Sequence, residues 1–409
     1  MRNVVVITLD SLRADHCSFL GYNRKTTPFL DDMAKDGLYF RNAVAPGTYT
    51  SESMIYAFTG QHSYIVPNAP GIEMAPEPWR KTISKRTTLA NRLSEKGYST
   101  LGFSPNPMTS RYYGFDKGFH YFEDFLEGKE LKKPPSLIPK LVRFFSVKKN
   151  EFHMPWESYY ETIVSKFKNV SSPFFLWVFL LDTHTPHHPP ERNWSGPFTW
   201  WEMRLDSLLR TELLKRELKP REKKRFDLYD DSIKYADKFI GRLWEDLKDF
   251  DPVFIVHSDH GQAFGEHGIW GHTAYFYEEF IHIPLVIFNA GITGEIKEPA
   301  TLDLSLIFGL IEGAEASTLT GGPAISKSFK SDGIGMAIRM GDWKFIHDAG
   351  EKLYNLRDDP GEQIDRVGEF PELENQFKRI TNKSLNRDME IIRVRSLASK
   401  VKKDLITER

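Results

Sequence analysis

The densest chemistry in the chain lies between Val256 and His272. Here the Asp259-His260 pair, the further histidines His257, His267 and His272 and four glycines follow the apolar run Pro252-Val253-Phe254-Ile255-Val256. That run has the β-branched and aromatic make-up of a buried strand, which puts Asp259-His260 at a strand's carboxyl end. An adjacent carboxylate and imidazole suit a divalent cation of borderline hardness. A purely structural zinc site would normally bring cysteines, and the chain has only Cys17. Glycines in such a loop let the backbone close on an anion. Taken alone, Asp-His-Gly is ordinary turn chemistry; the additional histidines shift the balance towards a metal and anion site.

The same layout recurs. Asn3 to Leu9 is a near-continuous apolar run ending at Asp10, Phe174 to Leu181 is another ending at Asp182-Thr183-His184, and Tyr98 to Phe103 is a weaker one ending at Ser104-Pro105-Asn106. Runs apolar at every position belong to parallel strands covered on both faces. In open α/β sheets ligands bind beyond the carboxyl ends of the strands, so four runs with polar endings predict one shared site. Helical patterns alternate with the runs: Thr27 to Lys35, Thr88 to Lys96, and Phe226 to Leu247, where Tyr229, Ile233, Ala236, Ile240, Leu243 and Leu247 recur at spacings of three and four. The fold expected is α/β, a doubly wound, mostly parallel central sheet with helices on both faces.

Composition fits an ordinary globular protein. The 409 residues are 40% hydrophobic and 27% charged, and a net charge of -1 argues against a general nucleic-acid binder. One cysteine excludes an intrachain disulfide framework. Met1-Arg2-Asn3 leads straight into the first strand, and no apolar stretch reaches transmembrane length, so the compartment expected is the cytoplasm. Two segments interrupt the alternation, near 127–156 and 191–222; the second carries Trp194, Trp200 and Trp201. They read as peripheral helices, with part of the aromatic cluster facing substrate.

Read in order, several blocks resemble the sulfatase family of the alkaline phosphatase superfamily. They are Asp10-Ser11-Leu12-Arg13-Ala14-Asp15-His16, Gly21 to Leu30, Asn42-Ala43, Phe58-Thr59-Gly60, Gly114 to Phe119, His184-Thr185-Pro186, Ser258 to His272, Tyr277-Glu278-Glu279, Ile283-Pro284-Leu285, Gly341-Asp342-Trp343-Lys344 and Leu353 to Glu362. The resemblance runs from about residue 3 to 380. It implies a catalytic domain over 1–325, a small antiparallel-sheet subdomain over 326–383, and a charged helix over 384–409. Glu390 to Arg395 in that last segment could serve a homo-oligomer contact, though a solvated helix is the plainer expectation.

The resemblance also implies one divalent metal held by Asp10, Asp259, His260 and Thr50. Counting back from Thr59-Gly60, the family's Cys/Ser-x-Pro-Ser-Arg motif falls on Thr50-Ser51-Glu52-Ser53-Met54, which makes Thr50 the nucleophile, with Thr48 and Ser51 as register alternatives. Threonine cannot become the formylglycine of sulfatases, but a metal-bound threonine alkoxide is competent towards phosphorus. An N-cap cluster is the bland alternative for these hydroxyls. His184 and His272 are the expected catalytic and substrate-binding histidines, and Arg13 and Asn106 are further substrate-binding candidates. Few acids and several imidazoles favour Zn²⁺ or Mn²⁺, with Ca²⁺ and Mg²⁺ still open. Lys234 and Tyr235 stand where a second metal would need histidine. The activity expected is hydrolysis or transfer of a phosphate mono- or diester, the substrate a small molecule, glycan or lipid headgroup. The alternatives are a sulfatase working without formylglycine and a silent module that binds such an anion.

Overall fold

The computed structural model describes residues 1–66, 75–125, 155–167, 170–185, 187, 189–196, 198–199, 222–313 and 320–407. Most of the first insertion, and Trp200 and Trp201 of the second, lie outside these residues.

The central sheet is built from β1 (Val4–Leu9), β2 (Leu38–Phe40), β4 (Ser99–Phe103), β5 (Tyr121–Glu123), β6 (Phe174–Leu180), β7 (Val253–Ser258), β11 (Leu285–Phe288) and β12 (Gly294–Ile296), in the spatial order β12-β2-β11-β7-β1-β6-β4-β5. Short strands β3 (Ala43–Val44), β8 (Ala263–Phe264), β9 (Trp270–Gly271), β10 (His282–Ile283) and β13 (Ala300–Thr301) form two small sheets beside it. Only β11 runs against its neighbours in the main sheet. The sheet is therefore mostly parallel, as the apolar runs require.

Both faces of that sheet are covered. In β1, Val4 and Val6 face one core while Val5, Ile7 and Leu9 face the other; Phe175, Trp177 and Phe179 alternate with Phe174, Leu176, Val178 and Leu180 in the same way along β6. Helices α1 (Pro28–Asp36) and α6 (Glu222–Leu247) cover one side, and α2 (Thr50–Thr59), α3 (Glu77–Ser84) and α4 (Leu89–Glu95) the other. All six α6 positions picked out by spacing are buried. At α4 the boundary is set locally, because Thr88 accepts from Asn91 N while the Asn91 side chain returns to Thr88 N. Trp156, at the rim of the first insertion, packs on Tyr160, Tyr235 and Phe239 beside α5 (Glu157–Phe167) and is buried.

After α7 (Glu278–Ile281) and α8 (Leu304–Ile311) the chain forms the four-stranded antiparallel sheet β14 (Ala324–Lys330), β15 (Gly333–Met340), β16 (Trp343–His347) and β17 (Glu351–Asn355). The final helix α9 spans Pro371–Thr407 and so begins well before Ser384. Pro371 has the φ that a first helical position needs, and Phe377, fully buried against Phe345, anchors that first stretch to the sheet. Among the described residues no helix is long and apolar enough to cross a membrane.

Candidate active site

Strand register assembles the site. Leu9 of β1 lies level with Leu180 of β6 and Ser258 of β7, so Asp10, Leu181 and Asp259 leave the sheet at one height. Strand β4 stops earlier, Phe103 facing Val178, and Asn106 rises to the same height through Ser104-Pro105. The ends are then cross-linked: Ser258 Oγ donates to Leu9 O, at 2.7 Å, and accepts from Leu12 N, at 2.8 Å, while Thr183 Oγ1 donates to Asp10 O at 2.6 Å. Ser11 adopts φ 59°, held by the Tyr229 hydroxyl, which donates to Ser11 O and accepts from Arg13 N.

Asp10, Asp259 and His260 are fully buried and offer ligand atoms that all lie within 4.8 Å of one another. Asp10 Oδ1 accepts from Ser11 Oγ at 2.8 Å and Oδ2 from Asn106 Nδ2 at 2.7 Å. Asp259 Oδ1 accepts from Ser11 N and His260 N; its Oδ2 has no hydrogen-bond partner among the described residues and lies 3.4 Å from His260 Nε2. His260 Nδ1 is 2.9 Å from Gly261 O, so it carries hydrogen and leaves a lone pair on Nε2. Burial, and then the Asp259 carboxylate, push the Asp10 carboxyl well above the usual range. Two buried carboxylates, an orphaned oxygen and an imidazole lone pair converge on one point. This donor set fits a divalent cation.

Thr50 Oγ1 lies 3.2 Å from His260 Nε2. Thr50 is the first residue of α2, whose N-cap is Tyr49, and no side chain caps that helix. The capping explanation for the hydroxyl cluster therefore fails. Ser53 Oγ turns back to Gly47, and Thr48 Oγ1 is buried without a hydrogen-bond partner among the described residues. Of Thr48, Thr50 and Ser51, only Thr50 is hydrogen-bonded to a residue of the cluster.

His184, after β6, and His272, after β9, meet Nε2 to Nε2 at 3.0 Å, and the His272 and His260 ring centroids are 5.1 Å apart. Burial, and then His260 and His184, hold His272 well below the usual imidazole pKa, so it is neutral near pH 7. Its Nδ1 is buried with no hydrogen-bond partner among the described residues.

Two expected substrate-binding residues are otherwise engaged. Arg13 spends its guanidinium on Asp15, Glu266 and Gln262 O, which ties the loop after β1 to the loop after β7. Asn106 gives its amide to Asp10 and accepts from Met108 N, which makes it an orienting group for the carboxylate. His257, in the same histidine-rich stretch, is buried against Thr8 and Ser258 O, and burial drops its pKa to about 4. Lys234 reaches Asn193 and Tyr235 reaches Glu157, so neither joins the cluster. Sequence reasoning missed Ser11 and Tyr229, whose roles depend on contacts across more than two hundred residues and leave no local signal.

A protein of the alkaline phosphatase superfamily from Vibrio parahaemolyticus shares the fold, superposing with a TM-score of 0.55 at 19% identity over 86% of this chain and 78% of that one. The chain belongs to the sulfatase family, whose model matches residues 2–306. Human iduronate 2-sulfatase is 24% identical over 345 residues, 72% of this chain and 61% of the relative, so the chain spans less than two thirds of that protein's length. The phosphonate monoester hydrolase of Agrobacterium radiobacter shares the fold, with a TM-score of 0.68 and 17% identity over 95% of this chain and 96% of that one.

Proposed function

We propose that the chain is a metal-dependent hydrolase or transferase of phosphate esters in which Thr50 is the nucleophile. The observation that carries this reading is the 3.2 Å approach of the Thr50 hydroxyl to His260 Nε2, beside Asp10 and Asp259. A cation held by Asp10, Asp259 and His260, with Zn²⁺ or Mn²⁺ suited to the donors, would lower the pKa of the Thr50 hydroxyl and neutralise charge on the ester. Thr50 Oγ then bonds to phosphorus as the bond to the leaving oxygen breaks, giving a threonine phosphate that water or an acceptor alcohol resolves.

The chain's own groups supply the rest. No side chain caps the first turn of α2, so its leading N–H groups would be available to an anionic ester at Thr50. In the His184–His272 pair one Nε2 donates to the other, so the accepting ring carries hydrogen on Nδ1. With His272 as the acceptor, its Nδ1–H is a donor for an ester oxygen or the departing alkoxide. Anionic esters of glycans, lipid headgroups or small molecules all present the group this site would hold.

Sulfate ester hydrolysis without formylglycine is the second reading, favoured by the activity named for the human relative. Purified protein loaded with Mn²⁺ or Zn²⁺ and assayed on aryl phosphodiester, phosphomonoester, phosphonate and sulfate substrates separates the two. Phosphorus esters turned over by the wild type and not by Thr50→Ala support the proposal. Turnover of sulfate alone favours the second reading, and no turnover of any ester sinks both.

A further inference from the structure

The loop that carries Asp259, His260 and His272 contains a second group of converging donors that the site above does not use. His267, Glu279 and Glu362 offer ligand atoms that all lie within 4.8 Å of one another. They come from three places: the turn between β8 and β9, the second residue of α7, and the segment after β17. Gly261 makes the approach possible, since its N donates to Phe280 O at 2.8 Å and a Cβ there would lie 2.1 Å from Glu279 O.

Two ligand atoms of the group have no hydrogen-bond partner among the described residues. His267 Nε2 stands 3.7 Å from Glu279 Oε1, beyond a hydrogen bond, and has no hydrogen-bond partner among the described residues. Glu279 is 8% exposed, and its Oε2 likewise has no such partner. Ligand atoms bound at ~2.0–2.2 Å in a tetrahedral shell stand roughly 3.3–3.6 Å apart, close to the 3.7 Å between His267 Nε2 and Glu279 Oε1. The imidazole is already oriented, stacked on Tyr277 with centroids 3.7 Å apart and planes 4° off parallel.

Charge points the same way. Glu278 pairs with Arg339 and Lys344, and Glu362 pairs with the same Lys344, which is fully buried. Of the cations near the group, Arg339 and Lys344 are thus committed to Glu278 and Glu362, and Lys352 donates to the Tyr277 hydroxyl. Arg13 beside them is already matched by Asp15 and Glu266. Burial resists a negative charge on Glu279, whose nearest ion-pair partner among the described residues is His267 at 3.7 Å, and a divalent cation would offset it.

We propose that His267, Glu279 and Glu362 form a second divalent-cation site, of Zn²⁺ or Mn²⁺ type, that staples the His272 loop to α7 and the C-terminal subdomain. One imidazole and two carboxylates with no cysteine suit such ions, and water completes the shell. The site is distinct from Asp10–Asp259–His260.

Metal counting on the full chain tests it. Chelator-stripped protein is dialysed against Zn²⁺ or Mn²⁺ alone, desalted and measured by inductively coupled plasma mass spectrometry. The expected result is two equivalents in wild type, one in Glu279→Gln, one in Asp259→Asn and none in the double variant. One equivalent retained in Asp259→Asn and lost in Glu279→Gln supports this site even when wild type binds only one, and then it is the first site that fails. Equal binding by wild type and Glu279→Gln overturns the inference and leaves the first site standing. Should Glu279→Gln fail to fold by circular dichroism, Asp259→Asn decides on its own: a Co²⁺ absorption band saturating at one equivalent supports the site, and no band overturns it.

Discussion

At the residue scale the account turns on Thr50. Its hydroxyl does not cap its own helix but reaches His260, an arrangement with no evident structural purpose. Thr50→Ala is expected to lower kcat on phosphate esters by on the order of 10³-fold or more, with Thr50→Ser keeping most of it, read from steady-state kinetics. Asn106 separates two roles. It holds Asp10 Oδ2, so Asn106→Ala should weaken metal affinity by about 10–100-fold, read by competition with a chelating dye. A large rise in KM at saturating metal, with affinity unchanged, would return Asn106 to substrate binding. Asp10, Asp259, His260 and His184 could be grouped from the sequence because residue type and position at a strand end coincide, and His272 because it closes the histidine-rich loop after β7. Ser11 and Tyr229 could not, because a serine and a tyrosine become site supports only when Asp259 and the first loop are brought together.

At the scale of elements, flush strand ends and the start of α2 do the positioning. The strands and the long α6 helix were legible from apolar runs and spacing, since burial on both faces or along one stripe leaves that pattern in the residues. The start of α9 was not, because Pro371 to Asn382 is polar on most faces and docks chiefly through Phe377. Helix α2 is also tied to the C-terminal subdomain: Glu52 accepts from Phe329 N at 3.0 Å and Ser328 Oγ at 3.2 Å. Burial pushes the Glu52 carboxyl from 4.5 up to about 8. With its folded pKa above the unfolded value, the folded state holds the proton more tightly, so stability from this group is full below 4.5 and is lost as pH rises towards 8. Glu52→Gln should therefore gain stability relative to wild type between pH 5 and pH 8.5, by at most about 5 kcal/mol. Urea unfolding at the two pH values measures it; an unchanged difference would show that Glu52 titrates normally.

At the scale of the molecule, Glu278 joins the two parts of the chain. It accepts from Arg339 at 2.7 Å and Lys344 at 3.0 Å, both in the C-terminal sheet, and against the cost of burial those cations hold its carboxyl down to about 2. Glu278→Ala would leave the buried Arg339 without its carboxylate and Lys344 with Glu362 alone, and should cost about 3–5 kcal/mol in urea unfolding, whereas a surface pair such as Lys96–Glu312 should cost little. The sheet and this hub explain how loops from four strands keep one geometry, but the central claim is chemical. It is tested most directly by acid-quenching the metal-loaded protein during turnover of an aryl phosphate ester and mapping phosphate by mass spectrometry. Phosphate on the peptide containing Thr50, at the Thr50 hydroxyl and absent in Thr50→Ala, is the result predicted. Continued turnover with no phosphate on Thr50, at wild-type rate in Thr50→Ala, would contradict it.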